Sequence, residues 1–370
     1  MNSRDLKKLY DWHKKNKRDL PFRNTKDPYR IWVSEIMLQQ TRVSTMTEKY
    51  TAFMKRFPDI KSLAESQEDE VLELWRGLGY YSRAKNIRKS AKIIQKEFNG
   101  RFPENYKDAV SLPGIGDYTA SAVLSLAYGE SHAVLDGNVK RVLSRVFYRT
   151  DHAVDLNGLS LELLERGRSD PGLHNESLME LGATLCSSGV PKCGVCPLAP
   201  VCSISKNYTP EFAADVPQKI HLQKINVDMY VHLLLTPDLK KILIQKKSKS
   251  YFFRNLWYFP SVIVHDDKKM DPSGLILSDA LDRKKIIESK TFNSICKHTI
   301  TKHSIDVHLR FEKMRKKDIE KIFLDNKDSQ YMLIDSKDTG KWVISSLKDK
   351  IFTFLRKNGY SEFQSVIAAE

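Results

Sequence analysis

The chain has 370 residues, a formal net charge of +15 and a hydrophobic content of 41%. No apolar run approaches the ~18 residues of a membrane span, and no apolar stretch follows the N-terminal lysines, which speaks against a spanning helix and a secretory signal. The length supports two or three domains with full cores, and a basic excess spread along the chain suits a polyanionic partner, most simply nucleic acid.

From residue 4 to about residue 185 the sequence predicts helix after helix. "RIWVSEIMLQQ", "TEKYTAFMKRF", "EDEVLELWRGL", "RAKNIRKSAKIIQKEF", "YTASAVLSLAY" and "NVKRVLSRVF" are joined by short turns rich in Gly, Pro, Asp or Asn. In the first segment Ile31, Trp32, Val33, Ile36, Met37 and Leu38 point almost all round the axis, so the helix is expected to be buried, and Glu35 with it. A buried carboxylate is costly unless paired. Desolvation raises its pKa, which is what a general acid needs near neutral pH, while a salt bridge to a buried arginine is the plainer use.

"LPGIGDYTAS" (112–121) sets Gly114 and Gly116 in a tight hairpin between two helices. Bare amides at a helix N-terminus suit a phosphate, and an ordinary hairpin needing positive φ uses the same glycines. In "AVLDGNVKRVL", Asp136 is expected to cap the following helix, whose dipole would hold it ionised opposite a developing cation. One carboxyl tuned up and another tuned down is the division of labour of glycoside hydrolysis.

"CSSGVPKCGVCPLAPVC" places Cys186, Cys193, Cys196 and Cys202 in one loop, while Cys296 stands alone and reads as a small buried hydrophobe. Four thiolates so close together suit one tetrahedral site. Softness and geometry admit either zinc or an iron-sulfur cluster. Residues 203–225 show no sustained periodicity and carry two prolines, so they read as a linker. Beyond them "VDMYVHLLLT", "KILIQKK", "WYFPSVIV", "IDVHLRF" and "YMLID" read as strands, with helices expected around 279–289, 316–324 and 345–357, as in a separate α+β domain.

A helix-hairpin-helix, an aspartate about twenty residues after its glycines and a C-x6-C-x2-C-x5-C loop resemble the endonuclease III superfamily of base-excision DNA glycosylases. More narrowly, "SEIMLQQTRV", "GLGYYSRAKNI", "LPGIGDYTASA", "VLDGNVKRVL" and "HNESLMELGA" resemble the adenine-specific A/G-mismatch glycosylases, the MutY family. The resemblance implies an all-helical glycosylase domain over 1–202 with a [4Fe-4S] loop, the linker, and a Nudix-like α+β domain over 226–370. It also implies a monomer acting on duplex DNA with A:8-oxoguanine or A:G mispairs, and with no targeting segment seen the protein is expected in the cytoplasm or on the nucleoid.

The resemblance further assigns roles. Glu35 would protonate adenine N7, and Asp136 would stabilise an oxocarbenium-like sugar, with Tyr118 and Asn138 orienting the carboxylates. Glu176 would hydrogen-bond the adenine edge, Arg23 would contact the base pocket, and Gln40 and Tyr80 would wedge into the gap beside the partner base. Tyr118 stands where lyases of the superfamily carry a lysine. It offers no amine for a Schiff base, and its hydroxyl is expected to pair with Asp136. Phe22 replaces the Trp of many relatives, and Lys192 is the one cation between Cys186 and Cys193. The family's lesion-reading Phe-Ser-His loop appears as Ile300-Thr301-Lys302, which points to Thr301, or to His303 after a one-residue shift. Glu288 alone between Tyr258 and Lys290 suits binding without the Mg²⁺ site of a Nudix hydrolase. Two other readings are a bifunctional lyase for oxidised pyrimidines, which Tyr118 opposes, and a non-catalytic DNA-binding scaffold, which would gain nothing from buried acids facing a polyanion.

Overall fold

The computed structural model describes residues 1–148, 155–217, 223–247, 252–254, 256–265, 268–269, 286–300, 302–324, 329–343 and 345–360. It forms two units, Met1–Ile220 and His221–Glu370. Among the described residues no helix is long and apolar enough to cross a membrane.

The first unit is helical. α1 (Ser3–Asn16) opens with a capping box between Asn2 and Asp5, and α2 (Pro28–Leu38) with Asp27 as cap and Pro28 in its first turn. Then come α3 (Val43–Arg56), α4 (Ile60–Glu65), α5 (Glu68–Leu74), α6 (Ser82–Glu97) and α7 (Tyr106–Ser111). α8 (Asp117–Val123) runs into a π turn, and α9 (Gly137–Val146), α10 (Leu156–Gly167) and α11 (Pro171–Thr184) follow. α2 is buried from Ile31 to Met37, as its all-round apolar pattern predicts.

α11 is buried on most of its surface although it carries polar side chains, among which Asn175 is paired on both its amide atoms. Asn175 accepts from the Val134 amide at 3.0 Å and donates to Ser125 Oγ at 2.9 Å and the His132 carbonyl at 2.8 Å. It thereby fixes the extended approach to Asp136. Gly182 lets α11 touch α9: a Cβ there would lie 2.6 Å from Asn138 Cβ and 2.9 Å from its carbonyl oxygen.

The stretch expected as linker is partly built into this unit. α12 (Ser203–Asn207) and α13 (Pro210–Ala213) occupy it, and Ile204, Ala213 and Val216 bury together against Tyr148 and Cys202. Three buried apolar residues at irregular spacing hold a segment that periodicity leaves unassigned.

The second unit is a mixed sheet of β1 (Ile225–Leu235), β2 (Lys241–Lys247), β3 (Trp257–Tyr258), β4 (Ser261–His265), β5 (Lys268–Lys269), β6 (Ile286–Ile300), β7 (His303–Met314) and β8 (Ser329–Asp335). β1 is central, parallel to β7 from Ile225↔His303 to Leu235↔Lys313 and antiparallel to β4 and β2 on its other edge. One face buries Val227, Met229, Val231 and Leu233 with Ile305, Val307 and Leu309 under α16 (Ser346–Lys357), through Leu347, Ile351 and Leu355. On the other, Leu234, Leu243 and Met314 meet Ile319 of α14 (Lys316–Leu324). The short α15 (Thr339–Trp342) lies between them in sequence. The helix expected at 279–289 is corrected: residues 286–289 begin β6, because a long antiparallel partner, β7, imposes strand geometry on them. Residues 279–285 lie outside the described residues.

Because the atoms that a Gly182 Cβ would meet include Asn138 backbone, α9 must shift to admit a methyl group. Gly182→Ala is expected to destabilise the protein by about 1–3 kcal/mol, read as a lowered melting temperature.

Candidate active site

The centre of the helical unit is a cavity of about 370 Å³ whose lining includes Arg23, Glu35, Gln40, Tyr118, Asp136, Asn138 and Glu176. Seven residues chosen from sequence thus come together at one place. Glu35, 1% exposed, sits in the apolar wall of α2 and is satisfied on both oxygens. Arg23 Nη1 lies 2.6 Å from Oε1, and the Tyr118 hydroxyl donates to Oε2 at 2.7 Å. The salt bridge to a buried arginine is therefore real. It also corrects one expectation, since Tyr118 pairs with Glu35 and not with Asp136. Position two of α8 aims the phenol at α2, beside Met179 of α11.

The electrostatics follow from burial. Burial and then the Glu35 and Asp136 charges push the Tyr118 phenol well above its usual range, so it stays a donor. Burial opposes the Arg23 cation, but Glu35, Tyr118 and Glu176 outweigh it and the guanidinium stays charged. Burial also raises the Asp136 and Glu176 carboxyls. For Asp136 this corrects the expectation of a dipole-lowered acid. It does cap α9, accepting from Val139 N at 2.7 Å and Asn138 Nδ2 at 2.8 Å, yet desolvation outweighs both bonds.

Arg141 is a residue the motif reading missed. Spaced i,i+3 from Asn138 on α9, it donates to Asn138 Oδ1 at 2.9 Å, to the Gly182 carbonyl at 2.6 Å and to the Cys186 carbonyl at 2.7 Å. One turn on, buried Arg145 donates to the Ser187 carbonyl at 2.7 Å, with Nη1 3.4 Å from Cys186 Sγ. Cys186, Cys193, Cys196 and Cys202 are free thiols lining one pocket. Burial raises Cys196 to about 12 and also raises Cys193 and Cys202. Among the described residues, Asp228, Asp306 and His308 bring ligand atoms within 4.8 Å of one another. In that trio the Ser294 amide donates to His308 Nδ1, which leaves the proton on Nε2, 3.0 Å from Asp228 Oδ1. It is a closed hydrogen-bonded knot.

Gln40 and Tyr80 are exposed and left-handed, at φ 56° and 47°, a strained conformation for residues with side chains. Arg83 holds their two loops together. Its Nη1 donates to the carbonyls of Ile36, Met37 and Gln39, and its Nη2 to those of Leu78 and Gly79. Burial lowers it to about 10, so it remains a cation at neutral pH. Gly114 needs its glycine: φ is +81° and a Cβ would meet Asn86 at 2.8 Å. Gly116, the cap of α8, has ordinary extended backbone and open space around it, so the fold alone does not demand glycine there.

In the second unit Ile300 pairs with His303 across a hairpin tip. Thr301 lies outside the described residues. His303 is 5% exposed with its ring edge-on to Phe252 at 5.3 Å, which overturns it as a nucleic-acid contact: as the first residue of β7 it turns into the core.

Residues 33–158 match the HhH-GPD superfamily base excision DNA repair protein family, which sets the class of the helical unit. The chain is 37% identical over 267 residues to the adenine DNA glycosylase of Buchnera aphidicola subsp. Baizongia pistaciae, covering 70% of this chain and 74% of that protein. It is 40% identical over 209 residues to the adenine DNA glycosylase of Homo sapiens, covering 52% of this chain and 38% of that protein. A solved thermostable thymine-DNA glycosylase matches with a TM-score of 0.50 and 28% identity over 54% of this chain and 94% of that one. The chain belongs to the adenine DNA glycosylase family.

Replacing Arg83 by Met strips five carbonyls of a donor. At about 1–3 kcal/mol per buried group left unpaired, Arg83→Met should lower the melting temperature. Limited proteolysis should then cut first near residues 39–41 or 78–80.

Proposed function

We propose that the protein flips adenine out of duplex DNA where it faces 8-oxoguanine or guanine, and hydrolyses its glycosidic bond without cutting the strand. The observation that carries this reading is Glu35, buried and held by Arg23 and Tyr118, lining one cavity with Asp136 and Glu176. A base must leave the stack to reach such a cavity. Glu35 delivers a proton to adenine N7, with the Tyr118 hydroxyl and the Arg23 guanidinium fixing its carboxyl plane. Asp136, oriented by Asn138 and Val139, faces the positive charge that develops on the sugar. Glu176 accepts from the exocyclic amine. Gln40 and Tyr80 fill the space the base leaves, and the Gly114–Gly116 hairpin receives a backbone phosphate. Tyr118 is a phenol and forms no Schiff base, which supports base removal without strand cleavage over the bifunctional reading.

The donor set at Cys186, Cys193, Cys196 and Cys202 fits a [4Fe-4S] cluster. All four cysteines line one pocket, and four soft thiolate donors are the ligand set such a cluster takes. When bound, the cluster supplies a covalent staple and a redox-active centre. The Arg141 and Arg145 contacts to residues 186–187 then tie the staple to α9. The second unit acts as a Nudix-like reader of the opposing base through Thr301 or its neighbour Lys302, and the helical unit reaches Ile220.

Single-turnover excision on A:8-oxoguanine, A:G and A:C duplexes tests this reading. Glu35→Gln is expected to lose about 10²–10⁴-fold in rate while still binding DNA; near-normal excision would make Glu35 structural. The pH profile checks Asp136. Its carboxyl is raised and must ionise to act, so activity is present above its pKa and lost as pH falls through it. Asn138 holds that carboxyl down, so Asn138→Ala should move the acid limb to higher pH. Thr301→Ala should narrow the preference for A:8-oxoguanine over A:G, and purified protein should carry about four irons per chain.

A further inference from the structure

One polar group in the cavity has no place in the mechanism above. His13 is on α1, 4% exposed, and its imidazole lines the same cavity as Glu35 and Glu176. Nδ1 is sealed from solvent without a hydrogen-bond partner, and Nε2 is therefore the edge open to a ligand. The sealed nitrogen leaves Nε2 as the one polar edge of the ring that a partner can reach. Its neighbours are already committed. Arg18 makes a fork to Glu180 at 2.7 and 2.9 Å, and Arg23 is spent on Glu35 at 2.6 Å.

We infer that His13 is a substrate-binding residue, whose Nε2 hydrogen-bonds the edge of the extruded purine. This rests on the adenine glycosylase reading of the cavity. Burial, then the Lys17 and Arg23 charges, lowers the imidazole, against a smaller upward pull from Glu180, so the ring is neutral at neutral pH. A neutral ring suits an uncharged base. A phosphate would be better met by the cations nearby, Lys17 among them. With its other nitrogen sealed, the ring offers one edge only, so it reads one atom of the base.

Three substitutions isolate that edge. The side-chain amide of Gln reaches the level of Nε2, that of Asn reaches only the level of Nδ1, and Phe keeps the ring without nitrogen. Binding is measured on two duplexes, one with uncleavable 2′-fluoro-2′-deoxyadenosine opposite 8-oxoguanine, the other with a tetrahydrofuran abasic analogue in its place. His13→Phe should bind the fluoroadenosine duplex about three- to tenfold more weakly, as the loss of one neutral hydrogen bond implies, and the abasic duplex unchanged. His13→Gln should restore the affinity and His13→Asn should not. Unchanged affinity on both duplexes overturns the inference. Equal losses on both also overturn it, showing a structural or phosphate contact, and unchanged abasic binding by His13→Phe shows that the variant folds. Rescue by Asn as good as by Gln overturns the choice of nitrogen. Wild-type protein that releases no adenine at all would instead sink the functional reading beneath it.

Discussion

One guanidinium among buried acids is the constraint on which the helical unit turns. Glu35 is sealed in a helix wall with nothing apolar to gain from it, and an unpaired charge there would cost more than the domain's margin of stability. Arg23 pairs with it, and that demands a particular path for the chain between α1 and α2. Phe22 seals the turn edge-on against Tyr50 at 5.7 Å, and the Arg18–Glu180 fork pins the same turn to α11. The turn between α1 and α2 is thereby tied to α2 by one carboxylate, Glu35, and to α11 by a second, Glu180. Burial raises the Asp136 and Glu176 carboxyls, and the Glu35 charge adds a smaller push to each. A cavity of this kind holds protons readily, which suits chemistry that must give one to a leaving base.

Asp136 is fixed from the other side by backbone. Asn175 holds the strand leading to it, Val139 and Asn138 hold its two oxygens, and Gly182 lets α11 come close enough to support the turn. Arg141 extends the same set of bonds to the carbonyl of Cys186. The geometry of the cysteine loop and the aim of the aspartate thus share one arginine, so a change in the loop has a direct mechanical route to the carboxylate.

What the sequence makes legible follows from the range of each interaction. Burial of Glu35 can be read from one helix alone, because apolar residues surround it at every angle. Capping by Asp136 is equally local. The partner of Tyr118 is not, because it depends on how α8 faces α2, and 83 residues separate Tyr118 from Glu35. The upward shift of Asp136 is hidden for the same reason: its depth is created by helices remote in sequence. Residues 286–289 mislead because a short charged-apolar mixture takes the conformation of whatever pairs with it. His303 misleads because a loop alignment carries no information on which way the first strand residue turns.

The left-handed backbone at Gln40 and Tyr80 bears on a problem that the cavity cannot solve. Adenine extruded from a correct pair is chemically identical to adenine extruded from a mispair, so no arrangement of Glu35, Asp136 and Glu176 can tell them apart. Selectivity must come from groups that meet the opposing base or sense how easily the pair opens. Two exposed side chains held at positive φ, at about 1–3 kcal/mol each, are what a pre-formed wedge requires, and Arg83 supplies the bonds that keep them there. On the reading proposed above, such a wedge senses opening but reads no lesion edge, which leaves that task to a second surface. The proposed reading gives it to the second unit, where β6 and β7 pair antiparallel along their length. On that reading, chemistry on one unit and discrimination shared with another follow from the substrate: the base to be removed carries no mark of the error.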